Sequence, residues 1–183
     1  DKELNEVVKK PKRELILICF KRNRKKVYKK PDEEDLILFN KVLELHSSTI
    51  PVVSIPDMQM MRVGRMKSSC INYTHQFYFD RIKHVLSFLW DESDKIKNKR
   101  IKELIRYWLD SHFVNLSYRN RYRPNVSFPY NPMTGVFYVP MMSSEPNPFV
   151  AYENKLKRII KAFQKINSPL GNVITSTSSA SCL

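Results

Sequence analysis

Histidine and cysteine are the side chains best suited to chemistry near neutral pH, and this sequence has four histidines (46, 75, 84, 112) and three cysteines (19, 70, 182). No two stand at a zinc-ligand spacing, and the step from His75 to His84 matches no familiar pattern. No metal or other cofactor is therefore expected. An odd, scattered set of cysteines is a poor basis for a disulfide framework and fits a reducing compartment. Asp110-Ser111-His112 holds the residue types of a nucleophilic triad. The three lie at a helix end, however, where Asp and His serve as surface and capping groups. No Gly-x-Ser-x-Gly surrounds any serine. The chain's three glycines are too few to build a phosphate loop or a dinucleotide fingerprint. Carboxylates cluster chiefly at 32–35, a helix start, which points to capping and not to acid–base work. The expectation is a protein that is not an enzyme.

Charge remains. Lys and Arg number 32 against 18 Asp and Glu, for a formal net charge of +14. Such a potential favours phosphate backbones, anionic lipid or acidic protein segments. One cluster, Lys21, Arg22, Arg24, Lys25, Lys26, Lys29 and Lys30, is either a solvated linker or a polyanion contact. A second stretch, Tyr118-Arg119-Asn120-Arg121-Tyr122-Arg123, alternates tyrosine with guanidinium, a composition that stacks on bases and clamps phosphates. Its plainer alternative is an extended segment whose tyrosines pack back on the helices. Lys99, Arg100, Lys102 and Arg106 form a third basic set, on a helix. The candidate nucleic-acid contacts are thus Arg22, Arg24, Lys25, Lys26, Lys99, Arg100, Lys102, Arg106, Tyr118, Arg119, Arg121, Tyr122 and Arg123.

These residues need elements to position them. Residues 1–31 read as a basic lead-in, with Leu4, Val7 and Val8 suggesting a short helix, and the apolar run 15–20 fits either a strand or a helical turn. That run is far short of the roughly 20 residues needed to span a bilayer. The acids at 32–35 start a helix bearing Leu36, Phe39, Val42, Leu43 and His46, and Pro56-Asp57 opens a short one with Met58 and Met61. Thr74 caps a helix running to Trp90, and Ile101, Leu104, Ile105, Trp108 and Leu109 give the next one its apolar face. Prolines at 124, 129, 132, 140, 146 and 148 forbid a long helix in 117–148. Within that stretch, Met133-Thr134-Gly135 reads as a turn into a short extended segment. Asn147-Pro148 then caps a last helix, and the Ser/Thr-rich end reads as a flexible tail.

The pattern Val85-x-x-Phe88-Leu89, a charged connection, then Asn98-Lys99-Arg100-Ile101-x-x-Leu104-Ile105-x-x-Trp108 resembles the Leu-Trp domain at the amino terminus of transcription elongation factor S-II. Residues 36–45, Ile50-Pro51 and Val63-Gly64-Arg65 add to the likeness, which covers about 36–116. Residues 67–76 have no counterpart in it. The resemblance implies a compact helical bundle in the nucleus that docks short motifs of transcription regulators, with Met58, Met61, Phe88 and Trp108 as candidate partner contacts.

The combined expectation is a mainly α fold, a compact bundle of about five helices with an irregular Pro/aromatic-rich segment. Its domain plan is a basic lead-in over 1–31, one helical domain over 32–166 and a flexible tail over 167–183. The expected function is a nuclear binding module tied to transcription or chromatin, recognising partner protein segments with help from a basic nucleic-acid-facing surface. A direct DNA- or RNA-binding protein and a basic assembly subunit are the alternatives.

Overall fold

The computed structural model describes residues 1–9, 12–45, 50–133 and 138–165. In chain order these form β1 (Ile18–Arg22), β2 (Lys25–Lys29), α1 (Glu33–Glu44), α2 (Gln59–Arg62), α3 (Gly64–Ser69), a 3₁₀ turn (Thr74–Phe77), α4 (Asp80–Asp94), α5 (Lys99–Asp110), β3 (Asn120–Tyr122), β4 (Tyr130–Pro132) and α6 (Pro148–Lys165). The expected compact five-helix bundle is overturned. Six α-helices share the described residues with two small antiparallel sheets, a mixed α/β fold.

The strands have local causes. Asn23 and Arg24 both take positive φ, 49° and 63°, and a two-residue turn of that kind matches the twist of paired strands. It fixes the β1–β2 register from Ile18↔Lys29 to Arg22↔Lys25. The apolar run 15–20 therefore ends in a strand, and the basic cluster becomes the rest of a hairpin. In the proline-rich stretch, Arg121 pairs with Asn131 and Tyr122 with Tyr130. Pro132 closes β4 at a two-stranded edge, where a missing N–H is tolerated. Residues 134–137, expected to turn into an extended segment, and the expected tail lie outside the described residues, as does His46.

The helix starts follow capping chemistry. Asp32 Oδ1 accepts from the Asp35 amide at 2.9 Å, and Asp35 Oδ2 accepts from the Asp32 amide at 3.1 Å, a reciprocal box. The Asp35 amide, and then the Lys29 ammonium, hold the Asp32 carboxyl down to about 2. Asn98 Oδ1 accepts from the Ile101 amide at 3.1 Å, and Asn147 Oδ1 from the Phe149 amide at 3.0 Å, starting α5 and α6. The helix expected from Thr74 begins later, at Asp80. Gln76 Oε1 folds back on the amides of Asn72 and Tyr73, at 2.9 and 3.2 Å, and shapes Thr74–Phe77 into a 3₁₀ turn. The expected helix after Pro56 is split at Val63, whose extended backbone (φ −122°, ψ 158°) separates α2 from α3.

Two apolar clusters hold these pieces. Ile82 of α4, Leu109 of α5, Leu116 and Tyr152 of α6 form the first, with Trp90, Ile105 and Trp108 packed against it. Met66 of α3, Ile71 and Val139 form the second, with Met61 and Phe77 at its margin. Burying an aliphatic or aromatic side chain contributes about 1.5–3 kcal/mol, so the first cluster anchors α4, α5 and α6 together. The lead-in adds polar ties. Asp1 accepts from Gln76 at 2.8 Å, and Glu3 accepts from Lys83 at 2.8 Å. Residues 1–9 form turns without a helix, and Val7 is exposed. Among the described residues no helix is long and apolar enough to cross a membrane.

Candidate nucleic-acid interface

The β1–β2 hairpin concentrates charge without neutralising it. From Ile18 to Lys29 it carries Lys21, Arg22, Arg24, Lys25, Lys26 and Lys29 and no acidic residue. Its register sets Lys21 opposite Lys26 and Arg22 opposite Lys25. Like charges directly opposed across strands are destabilising, so these pairs cost the fold stability. Only Lys29 finds acids among the described residues, Asp32 at 2.9 Å and Asp35 at 2.7 Å. The other five cations are exposed.

The second ribbon lies against the first. Lys26 Nζ stands 5.5 Å from the centre of the Tyr130 ring, and Tyr130 lies 5.7 Å from Tyr122, tilted by 40°. Burial, with hydrogen bonds among Cys19, Tyr28 and Tyr130, raises the Tyr130 hydroxyl above its ordinary value, so it is protonated at neutral pH. Arg123 closes the pairing by donating its amide to the Pro129 carbonyl at 2.7 Å, and its side chain is exposed. Phe128, in the loop between the strands, is exposed too. The outcome is a ribbon with exposed cations on both faces, Lys21 and Lys26 on the side that meets Tyr130 and Arg22 and Lys25 on the other. Such a ribbon, beside aromatic rings, can neutralise phosphates and stack on bases.

The other candidates separate. Tyr118 is internal: its ring packs 4.3 Å from Phe79, Arg13 covers it at 4.1 Å, and burial pushes its hydroxyl up to about 12. Arg119 lines a cleft instead of the ribbon face, and Arg121 is half-buried with its Nε enclosed. Lys102 and Arg106 turn to Asp94, at 3.2 and 2.6 Å, and Arg106 also covers the Trp90 ring at 4.8 Å. They fasten α5 to the end of α4. Lys99 and Arg100 are exposed at the start of α5.

The partner-contact candidates are also dispersed. Met58 lines a cleft of about 380 Å³ with Val53, Ile55, Pro56, Phe77 and Arg119. Met61 packs on the second core cluster, and Phe88 is exposed on α4. Trp108 is structural, donating from Nε1 to the Tyr152 carbonyl at 3.0 Å and meeting the Tyr152 ring edge-on at 5.1 Å.

One group of metal-ligand types converges among the described residues: Asp1, Glu3 and His75, within 4.8 Å of one another. Lys83 Nζ already sits 2.8 Å from Glu3 and from Asp80, so an ammonium supplies positive charge there. Burial lowers the His75 pKa, although Asp1 lies 3.0 Å from Nε2.

Sequence reasoning missed Tyr28, Tyr130 and Phe128. The signal for Tyr28 was present: an Asn-led two-residue turn between Ile-Cys-Phe-Lys-Arg and Lys-Lys-Val-Tyr-Lys marks a hairpin and sets Tyr28 opposite Cys19. No signal brought Tyr130 to it, because that contact joins segments about a hundred residues apart.

No protein-family model, no curated protein and no solved structure matches the chain.

Proposed function

We propose that this chain is a non-enzymatic module that binds nucleic acid through its paired β-ribbons, with Lys21, Arg22, Arg24, Lys25, Lys26 and Arg123 on phosphates and Tyr122, Tyr130 and Phe128 beside the bases. The observation that carries this is the doubling of like charges across the hairpin, Lys21 with Lys26 and Arg22 with Lys25, with no acid between Ile18 and Lys29. A fold accepts such repulsion where a polyanion relieves it. The Leu-Trp-like residues of α4 and α5 support a nuclear role in transcription or chromatin, in which a protein partner is recognised as well.

The test is binding of labelled duplex and single-stranded oligonucleotides to the chain and to a variant with Arg22→Ala, Arg24→Ala and Lys25→Ala. Strong binding that the variant loses supports the ribbons. Binding that the variant keeps contradicts them.

A second reading rests on the Met58 cleft. Its apolar lining, with Arg119 at one side, suits a short peptide segment, as the Leu-Trp resemblance implies. Met58→Glu separates the two, since it weakens peptide capture and leaves oligonucleotide binding intact.

A further inference from the structure

Helix α6 is fixed to the fold at one end only. Pro148 and Tyr152 are buried, and Tyr152 donates its hydroxyl to the Leu109 carbonyl at 2.9 Å while its ring meets Trp108 and His112. Beyond Tyr152 no residue of α6 is buried. The remaining 153–165 run for about 20 Å at the ordinary rise of an α-helix.

This length is amphipathic. Leu156, Ile159, Ile160 and Phe163 recur at i, i+3, i+4 and i+7, and Leu156, Ile160 and Phe163 are 36%, 47% and 55% exposed. On α5, the stripe that carries Trp108 continues one and two turns back as Leu104 and Ile101, which are exposed as well. Apolar side chains thus stay exposed on each helix beyond the Trp108–Tyr152 joint.

Charge selects the occupant. At 100° per residue, Lys155 and Lys157 border the α6 stripe on its two sides, and Arg158, Lys161 and Lys165 lie behind it. The sole acid in this length is Glu153, which pairs with Lys157. No acid of the described residues pairs with Lys155, Arg158, Lys161 or Lys165. A second copy would bring the same cations face to face. A helix with an apolar stripe edged by Asp and Glu would cover the leucine, isoleucines and phenylalanine and neutralise the border at once.

We propose that the strip of α6 from Leu156 to Phe163 docks an acidic amphipathic helix of a partner protein. This surface is separate from the β-ribbons and stands or falls without them.

The probe is a synthetic helix of about 20 residues, long enough to be partly ordered alone, with Leu at i, i+3, i+4 and i+7 and Glu on both borders. Its control carries Lys in place of Glu. The full chain should bind the Glu peptide saturably and the Lys peptide at least about tenfold more weakly. Ile160→Ser with Phe163→Ser should weaken the Glu peptide by at least about tenfold, with far-ultraviolet circular dichroism unchanged. Lys155→Glu with Lys157→Glu should reverse the preference between the two peptides. Equal binding of both peptides, or no binding of either, overturns the proposal. So does a dimer in sedimentation that the Ile160/Phe163 variant dissolves, because the second copy is then the occupant. Preferential uptake by phosphatidylserine vesicles that the same variant abolishes would give the strip to a lipid surface instead. Binding that appears only after removal of residues 166–183 would make that segment the occupant.

Discussion

Neutralising phosphates releases counterions, so the salt dependence of binding counts the cations in contact. The ribbons expose six: Lys21, Arg22, Arg24, Lys25, Lys26 and Arg123. At about 0.9 per phosphate on duplex, log K should fall with log salt at a slope of about −5.4. Between 50 and 200 mM salt that is a loss of roughly 2,000-fold in affinity. Replacing Arg22, Arg24 and Lys25 by Ala leaves three contacts, a slope of about −2.7 and a loss of roughly 40-fold over the same range. On single strands both slopes should shrink, since each contact there is worth about 0.7. The assay is fluorescence anisotropy with a labelled oligonucleotide at several salt concentrations. A wild-type slope shallower than about −2, or a variant whose slope equals the wild type's, refutes the assignment to the hairpin.

Arg24→Gly removes one of those cations and also relieves a non-glycine residue at φ 63°, so it should raise thermal stability, by up to about 1 kcal/mol, while making the salt slope shallower by about 0.9. Tyr152→Phe deletes a buried hydrogen bond to the Leu109 carbonyl and should cost about 1 kcal/mol, read as a melting point lower by about 3 °C. Burial holds the His112 imidazole below its ordinary 6.5, so the folded chain favours the neutral ring. Its contribution is complete above pH 6.5 and is lost as pH falls through the lowered value; the melting point should drop on acidification and drop less in His112→Gln. The Asp32 carboxyl, held to about 2, contributes in full above its ordinary 3.8 and loses that contribution as pH falls towards 2. Protection of the Asp35 amide, relative to its intrinsic exchange at each pH, should therefore fall across that window in the wild type and change less in Asp32→Asn.

Helix starts were the part of this fold most legible in the sequence, because a cap is a local arrangement. Asp32 with Asp35 and Asn147 with Phe149 close within three residues of one another, whereas the helix expected from Thr74 starts only at Asp80. The strands were not legible in the same way. Residues 15–20 carry an apolar run that suits either state, and only the turn at Asn23-Arg24 decides it. Helical periodicity in α5 was clear, but it does not say which cations stay in water. Arg106 is drawn to Asp94 and Trp90 by the turn between α4 and α5, and Tyr118 is drawn inward by Phe79 and Arg13. Both depend on tertiary neighbours remote from any local pattern. Of the stretch Tyr118-Arg119-Asn120-Arg121-Tyr122-Arg123, Tyr122 lies in β3 and Arg123 is exposed just beyond it, while Tyr118 packs inward, and composition alone does not separate the two ends.

The most direct measurement is a backbone amide NMR titration of the isotopically labelled chain with a short oligonucleotide at low salt. Shifts should concentrate at residues 19–28, 121–123 and 128–131, the two ribbons and the loop between β3 and β4. Shifts confined to Lys99 and Arg100, or to the cleft around Met58, with the hairpin amides unmoved, would contradict the ribbon interface.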